Sequence, residues 1–353
     1  MDPLSLDTVA LSEDRQKLVI LDQTLLPGEV KYLALDDLED IREAICALRV
    51  RGAPAIGVAA AYGLYLAANQ MEGEDMDAFC ASLHTAKERL NSARPTAVNL
   101  SWALERMERV VLENRAALTV PELKARLGRE ADDIRAEDIA ISRAIGRYGL
   151  GLLHRGDGIL THCNAGTLAT AKYGTALAPI YAALEAGWDN LRVYCDETRP
   201  LLQGARLTAF ELHSAGVDTT LICDNMASIT MARGKVDIVF VGCDRVCANG
   251  DFANKVGTSG VAILAKHYGI PFYVCAPSST IDMGLPSGDG IVIEERAPEE
   301  VTELWYARRM APDGVKVDNP AFDVTNHELV TGFITERGIA YPPFDRAFQE
   351  MGF

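Results

Sequence analysis

Four apolar runs in the second half of this chain each end in a short polar burst: ILTHCN at 159–164, RVYCDETR at 192–199, LICDN at 221–225 and VFVGCDR at 239–245. A run that stays apolar on both faces reads as a strand buried in a parallel sheet, and such sheets bind ligands beyond the carboxyl ends of their strands. Cys163, Asp196, Asp224 and Asp244 are therefore expected to converge. The stretch His162-Cys163-Asn164-Ala165-Gly166-Thr167 reads as a strand passing through a tight turn into a helix. Unpaired N–H groups and the positive end of the helix dipole would then favour a thiolate at Cys163 over the usual thiol, whose pKa is ~8.5. The plain alternative is a packed core cysteine; the polar neighbours His162 and Asn164 argue for chemistry. Asp244 follows a strongly apolar strand, where desolvation raises a carboxyl pKa and suits a general acid, the alternative being a loop cap. Asp196, Glu197 and Arg199 read equally well as a structural ion-pair group, and Asp224 and Asn225 as the cap of the next turn.

Three further places suit an anion. Arg51-Gly52-Ala53-Pro54 puts a guanidinium and a small-residue loop at a helix start, Arg94-Pro95-Thr96 puts another just before a helix, and Asn254-Lys255 opens the helix after VGCDRVCANGDF. With the strand-end site they point to a small phosphorylated metabolite. Neither GxGxxG nor GxxxxGK[ST] follows any of the strands, so no nucleotide cofactor is expected. Eight cysteines occur without a CxxC pair or secretory context, which fits reduced thiols. Cys163, Cys195, Cys223 and Cys243 all fall near strand ends but lack the spacing of ligand pairs, so no metal is expected either.

The elements that must position these residues fall into two blocks. KLVILDQTLLP and EVKYLAL look like two short strands around Pro27-Gly28, followed by a helix from Leu38 to Leu48 that Asp36 or Asp37 would cap. Pro54 suits the first turn of the next helix, Ala55 to Ala68 reads as a buried helix, and further helices fill 75–91, 97–116 and 121–153. From Asp157 the pattern becomes strand, helix, strand, with strands near 158–162, 191–195, 219–223, 236–242, 271–275 and 290–294. The tail carries a helix around Pro298–Met310 and another beginning near Thr325. The expected fold is α/β: a mostly helical N-terminal domain with a small β element over 1–155, then a Rossmann-like, doubly wound parallel sheet domain over 156–353.

Composition sets the outer bounds. A chain of 353 residues exceeds what one hydrophobic core usually covers, and 48% hydrophobic residues supply a large interior. Lys plus Arg number 34 against 50 for Asp plus Glu, a formal charge of −16, which disfavours nucleic acid and anionic membrane as partners. The N-terminus has no cationic leader followed by an apolar stretch, and the Ala55–Ala68 run is shorter than the ~20 residues a bilayer requires. The expected location is the cytoplasm.

Taken in chain order, RGAPAIGVAAAYG, RPTAVNLSWAL, THCNAGTLAT, CDETRPLLQGARLTAFEL, CDNMA and GCDRVCANGDFANKVGTSG closely resemble the methylthioribose-1-phosphate isomerase family of methionine salvage, over about residues 15–345. The same superfamily holds ribose-1,5-bisphosphate isomerase and regulatory subunits of a translation-initiation exchange factor, so shared fold does not settle function. The resemblance implies a catalytic pair, Cys163 and Asp244, and substrate contacts at Arg51, Gly52, Ala53, Arg94, Gln203, Asn254 and Lys255. It also implies a homodimer that requires neither metal nor nucleotide. Cys243 and Cys247 depart from the small residues expected there; no catalytic position is affected.

Phosphate on the anomeric carbon blocks the ring opening to a free aldehyde that ordinary aldose–ketose isomerases exploit. On the implied chemistry Asp244 protonates the ring oxygen while a Cys163 thiolate removes the C2 proton, or Cys163 stabilises charge during a hydride shift from C2 to C1. The alternatives are isomerisation of ribose-1,5-bisphosphate or a 5-deoxypentose 1-phosphate, and a non-enzymatic regulatory subunit. The exchange-factor subunits lack the cysteine–aspartate pair.

Overall fold

The computed structural model describes residues 6–94 and 98–353. They form two compact units. The first comprises the described residues up to Ser142 together with Gly166–Gly174. It opens with an antiparallel meander of β1 (Val9–Leu11), β2 (Leu18–Leu21) and β3 (Tyr32–Leu35). Helix α1 (Leu38–Cys46) follows, and the Asp37 carboxylate caps it by accepting the Glu39 N–H at 2.7 Å. Helix α2 (Ala53–Gln70) has Pro54 in its first turn and is buried along nearly its whole length, as an apolar circumference requires. Around it pack α1, α3 (Met76–Asn91) and α4 (Val98–Asn114), and α5 (Val120–Leu150) completes the bundle.

Residues 143–165 and 175–353 make the second unit. Its elements are β4 (Gly158–Thr161), α6 (Ala178–Glu185), β5 (Arg192–Asp196), α7 (Ala209–Ser214), β6 (Asp218–Ile222), α8 (Ala227–Ala232), β7 (Ile238–Val241), β8 (Arg245–Cys247), β9 (Phe252–Lys255), α9 (Thr258–Tyr268) and β10 (Phe272–Cys275). They continue through β11 (Ile281–Asp282), α10 (Glu299–Thr302), β12 (Phe322–Thr325), β13 (Gly332–Thr335), β14 (Gly338–Ala340) and α11 (Phe344–Glu350). The main sheet runs β14-β13-β10-β7-β4-β5-β6, parallel throughout except for β14 at the edge. The chain thus builds outward from β4 to one side and then returns to β7 to build the other, the doubly wound order with its switch point between β4 and β7. A second sheet, β11-β8-β9-β12, grows from the loops past β7 and β10. Leu160, Val239, Val241, Phe272, Val274 and Phe333 fill the interior, and Phe333 meets Phe344 edge to face at 4.9 Å.

The fold class is as expected, and the five strands from 158 to 275 fall in place. The tail does not. No strand forms over 290–294: Ile291–Glu294 are irregular, Val292 is exposed, and Glu295 makes a single bridge to Pro320. The sixth parallel strand is β13, whose Gly-Phe-Ile-Thr is wholly buried. Local apolar alternation marked the former, but burial on both faces selects the latter. The helix around Pro298–Met310 shrinks to α10, and the one near Thr325 is replaced by the end of β12 and a short 3-10 turn, His327–Leu329, capped by Asn326.

The units also divide before the expected 155/156 boundary, between Ser142 and Arg143 inside α5. A continuous helix shows no linker in its composition. Gly166–Gly174 belongs to the first unit because Gln23 Nε2 donates to the Leu168 carbonyl at 2.7 Å, Thr8 Oγ1 to that of Thr167 at 2.9 Å, and the Ala171 N–H to Asp138 Oδ2 at 2.6 Å.

Candidate active site

Strand β4 ends at Thr161, and the next three residues turn away from the sheet. Cys163 adopts a left-handed backbone, φ +64°, which costs a non-glycine residue about 1–2 kcal/mol unless its surroundings enforce it. They do so from two directions. The Cys163 N–H donates to Thr198 Oγ1 at 2.8 Å, and Thr208 Oγ1 donates to the Cys163 carbonyl at 2.6 Å. Thr198 lies past the end of β5 and is itself held, since its N–H and that of Arg199 donate to the two oxygens of Asp224 at 2.7 and 2.8 Å. Asn164 turns inward and donates to Glu211 Oε1 at 2.5 Å, while the Tyr181 hydroxyl donates to Glu211 Oε2 at 2.7 Å. This carboxyl group is fully buried, and the hydrogen bonds from Asn164 and Tyr181 offset its desolvation.

No helix begins at Cys163. A single 3-10 turn, Thr167–Ala169, follows it, and α6 starts only at Ala178, so the helix dipole expected beside the thiol is absent. What the residues supply instead is the two-threonine clamp.

His162 points into the interior and is 1% exposed. Its Nδ1 faces Asp196 Oδ2 at 3.0 Å, and its Nε2 faces the Val256 carbonyl at 2.9 Å. Burial opposes charge on the ring, but the hydrogen bond and charge of Asp196 outweigh it and raise the His162 pKa above its ordinary value. Burial likewise raises the Asp196 pKa, with His162 offsetting only part of the shift. The Val256 carbonyl can only accept, so Nε2 carries a proton, and the 3.0 Å Nδ1–Oδ2 contact calls for one more between the two groups, which leaves the pair net neutral. Asp196 Oδ1 has no hydrogen-bond partner among the described residues.

Asp244 lies three residues beyond β7, the strand beside β4, and its N–H donates to the Ala253 carbonyl at 2.9 Å. At Gly242 a Cβ would come within 2.7 Å of the Ala165 methyl, so the turn past β7 lies directly against the turn past β4. Cys163 and Asp244 are therefore carried past neighbouring strand ends at the switch point, and both are half-buried. Gln203 precedes a π-helical turn, Gly204–Thr208; it is 6% exposed, and its Oε1 has no hydrogen-bond partner among the described residues. Asn254 and Lys255 end β9 rather than opening a helix. Asn254 Nδ2 donates to Thr258 Oγ1 at 3.0 Å, and Lys255 Nζ donates to the Ala321 carbonyl at 2.8 Å above the Phe322 ring. The N-terminus of α9 already holds the Asp323 carboxylate, which accepts the Gly257 and Ser259 N–H groups.

The other expected contacts lie in the first unit. Gly52 precedes α2 at φ +89°, and any Cβ there would overlap the Ala169 backbone, so only glycine fits. Arg51 and Ala53 flank it, and Arg94 follows α3; all three are half-buried. Pro95 and Thr96 lie outside the described residues.

Of the strand-end cysteines considered for zinc, Cys195 is buried in β5 and Cys243 contacts Thr280 Oγ1 at 3.4 Å, with burial pushing its thiol up to about 12. The one group of potential ligands among the described residues contains no cysteine: His162, Asp196 and Asp224. Hydrogen bonds already engage both ring nitrogens and both Asp224 oxygens. Asp224 braces the turn past β5 rather than capping its own, and Arg199 donates to the Val301 carbonyl at 2.7 Å instead of pairing with Asp196. Sequence reading passed over Thr198, Thr208, Glu211 and Tyr181. Their only local signal is polarity beside apolar runs, because their partners are distant in the chain.

Residues 49–342 match the "Initiation factor 2 subunit family". A "Methylthioribose-1-phosphate isomerase" of Symbiobacterium thermophilum is 63% identical over 99% of this chain and 97% of its own length. A "5-deoxyribose 1-phosphate isomerase" of Petrotoga mobilis is 54% identical over 97% and 98%. Among solved structures, a 5-methylthioribose 1-phosphate isomerase from Pyrococcus horikoshii superposes with TM-score 0.92 at 44% identity, covering 99% of this chain and 98% of that one. One described as translation initiation factor eIF-2B subunit delta, from A. fulgidus, superposes with TM-score 0.88, also at 44% identity, covering 98% and 99%. Overall likeness does not separate an isomerase name from an exchange-factor name. On the extent of the match, this chain belongs to the initiation factor 2 subunit family.

Proposed function

We propose that the protein is a sugar-phosphate isomerase that converts 5-methylthioribose 1-phosphate to 5-methylthioribulose 1-phosphate in methionine salvage. The observation that carries the reading is the placement of Cys163 and Asp244 past adjacent strand ends, with the cysteine backbone clamped. The 63% identical relative of that name supports the substrate, and the 5-deoxyribose 1-phosphate relative favours a second reading in which the sulfur is dispensable.

In this mechanism Asp244 gives its proton to the ring oxygen as the C1–O bond breaks, and the Cys163 thiolate takes the C2 proton. The C2–H electrons form the C1–C2 double bond of an enol phosphate. Cys163 then returns a proton to C1 while Asp244 recovers one from the C2 hydroxyl, leaving the ketone and both residues as they began. Arg51, Gly52, Ala53, Arg94, Gln203, Asn254 and Lys255 bind the substrate, with the cations serving its phosphate. The protein acts as a cytoplasmic homodimer.

The test offers purified protein 5-methylthioribose 1-phosphate, 5-deoxyribose 1-phosphate and ribose-1,5-bisphosphate side by side, in heavy water. Preference for the first, with deuterium at C1 of the product, is expected; complete retention of the substrate hydrogen would replace proton transfer by hydride shift. Cys163→Ser and Asp244→Asn should each lower kcat by roughly 10³-fold or more, and wild-type turnover in both would refute the assignment.

A further inference from the structure

We infer that His162 is a positioning residue: a buried strut that sets the spacing between the Cys163 thiol and the Asn254–Lys255 segment. The inference rests on the isomerase reading, in which those two elements hold the base and bind the phosphate. Three anchors define the strut. Its backbone is joined to Cys163, Nδ1 is tied to Asp196 at the end of β5, and Nε2 is tied to the carbonyl of Val256, the residue after Lys255. Gly257 leaves room for the ring, since a Cβ there would lie 2.8 Å from Cε1. The two nitrogens thus serve different strand ends, one bracing the turn that carries the thiol and the other the end of β9. An apolar side chain of equal size would keep the volume but leave the Asp196 carboxylate buried with neither oxygen satisfied. Sharing one proton with Asp196 lets the strut hold both turns without adding net charge beside the reacting thiol.

Two substitutions cut one arm each. His162→Gln places its amide where Nε2 was and keeps the Val256 contact, while His162→Asn places its amide where Nδ1 was and keeps Asp196. The readouts are the iodoacetamide alkylation rate of Cys163, resolved by peptide mass spectrometry, and the affinity for inorganic phosphate by calorimetry. His162→Gln should change alkylation by roughly fivefold or more and leave phosphate affinity within about twofold, and His162→Asn should do the reverse. Asp196→Asn, whose amide donates to Nδ1 while Nε2–H holds Val256, should keep both readouts near wild type and shows that the site tolerates an amide. The crossed pattern supports the strut. Equal shifts in both readouts, no shift in either His162 variant, or absence of phosphate binding to the wild type overturns it. Neither readout uses a sugar, so failure of the isomerase reading shows separately, as wild-type protein that binds phosphate and turns over none of the three pentose phosphates.

Discussion

Cys163, the base in the proposed reaction, is held by groups outside that chemistry. Thr208 Oγ1 donates to the Cys163 carbonyl and accepts from Asn164 Nδ2 at 3.1 Å, so one hydroxyl fixes both the strained cysteine and the turn after it. Thr208→Val keeps the shape and removes both bonds. It should destabilise the protein by about 1–2 kcal/mol in urea unfolding and lower kcat roughly tenfold with KM little changed, because a misaimed thiol affects the chemical step more than binding. A fall in KM alone would place Thr208 outside this role. Cys163 and Asp244 stood out in the sequence because a polar residue at the end of an apolar run is conspicuous. Thr208 did not, being one threonine among many, 45 residues beyond the cysteine it holds.

At the scale of elements, the junction of α5 with the Gly166–Gly174 turn depends on one carboxyl. Burial pushes the Asp138 pKa up to about 7, against smaller opposing effects from the Ala171 N–H and Arg135. A carboxyl whose pKa is raised on folding contributes stability that is full below its unfolded value, near 4, and is lost as pH rises through 7. Asp138→Asn retains an acceptor for the Ala171 N–H and cannot ionise. Relative to wild type it should therefore gain on the order of 1–3 kcal/mol at pH 8 and nothing near pH 4, as read from urea midpoints at the two pH values. An equal gain at both would refute the buried-charge account. The helices of this unit were legible because their periodicity is long and their caps local, as Asp37 shows. The tail was not: Ile291–Glu294 and β13 are both short apolar stretches, and only the neighbouring β10 and β14 distinguish the one that pairs.

At the scale of the molecule, a formal charge of −16 opposes the approach of any sugar phosphate. Screening shortens that repulsion to ~10 Å at 0.1 M salt. The kcat/KM for the proposed substrate, 5-methylthioribose 1-phosphate, should rise a few-fold between about 10 mM and 0.1 M ionic strength and then level off. A steady decline instead would mean that the local cations, not the whole-chain charge, govern encounter. The sheet order makes one further arrangement inevitable: strands joined outward from β4 in both directions leave a single switch point, and the two turns richest in reactive side chains flank it.

The sequence by itself determined the alternation of strand and helix after residue 157, the buried helix at Ala55–Ala68, and the polar endings that carry Cys163 and Asp244. Each is written in near neighbours through periodicity, capping and local polarity. Only the tertiary structure decided that β4 lies beside β7, that no helix backs the cysteine, that two threonines clamp it, and that His162 shares its proton with Asp196 while holding Val256. Those contacts join residues 34 to 94 positions apart, and hydrogen-bonding partners at such range are chosen by the packing of the sheet rather than by any pattern along the chain.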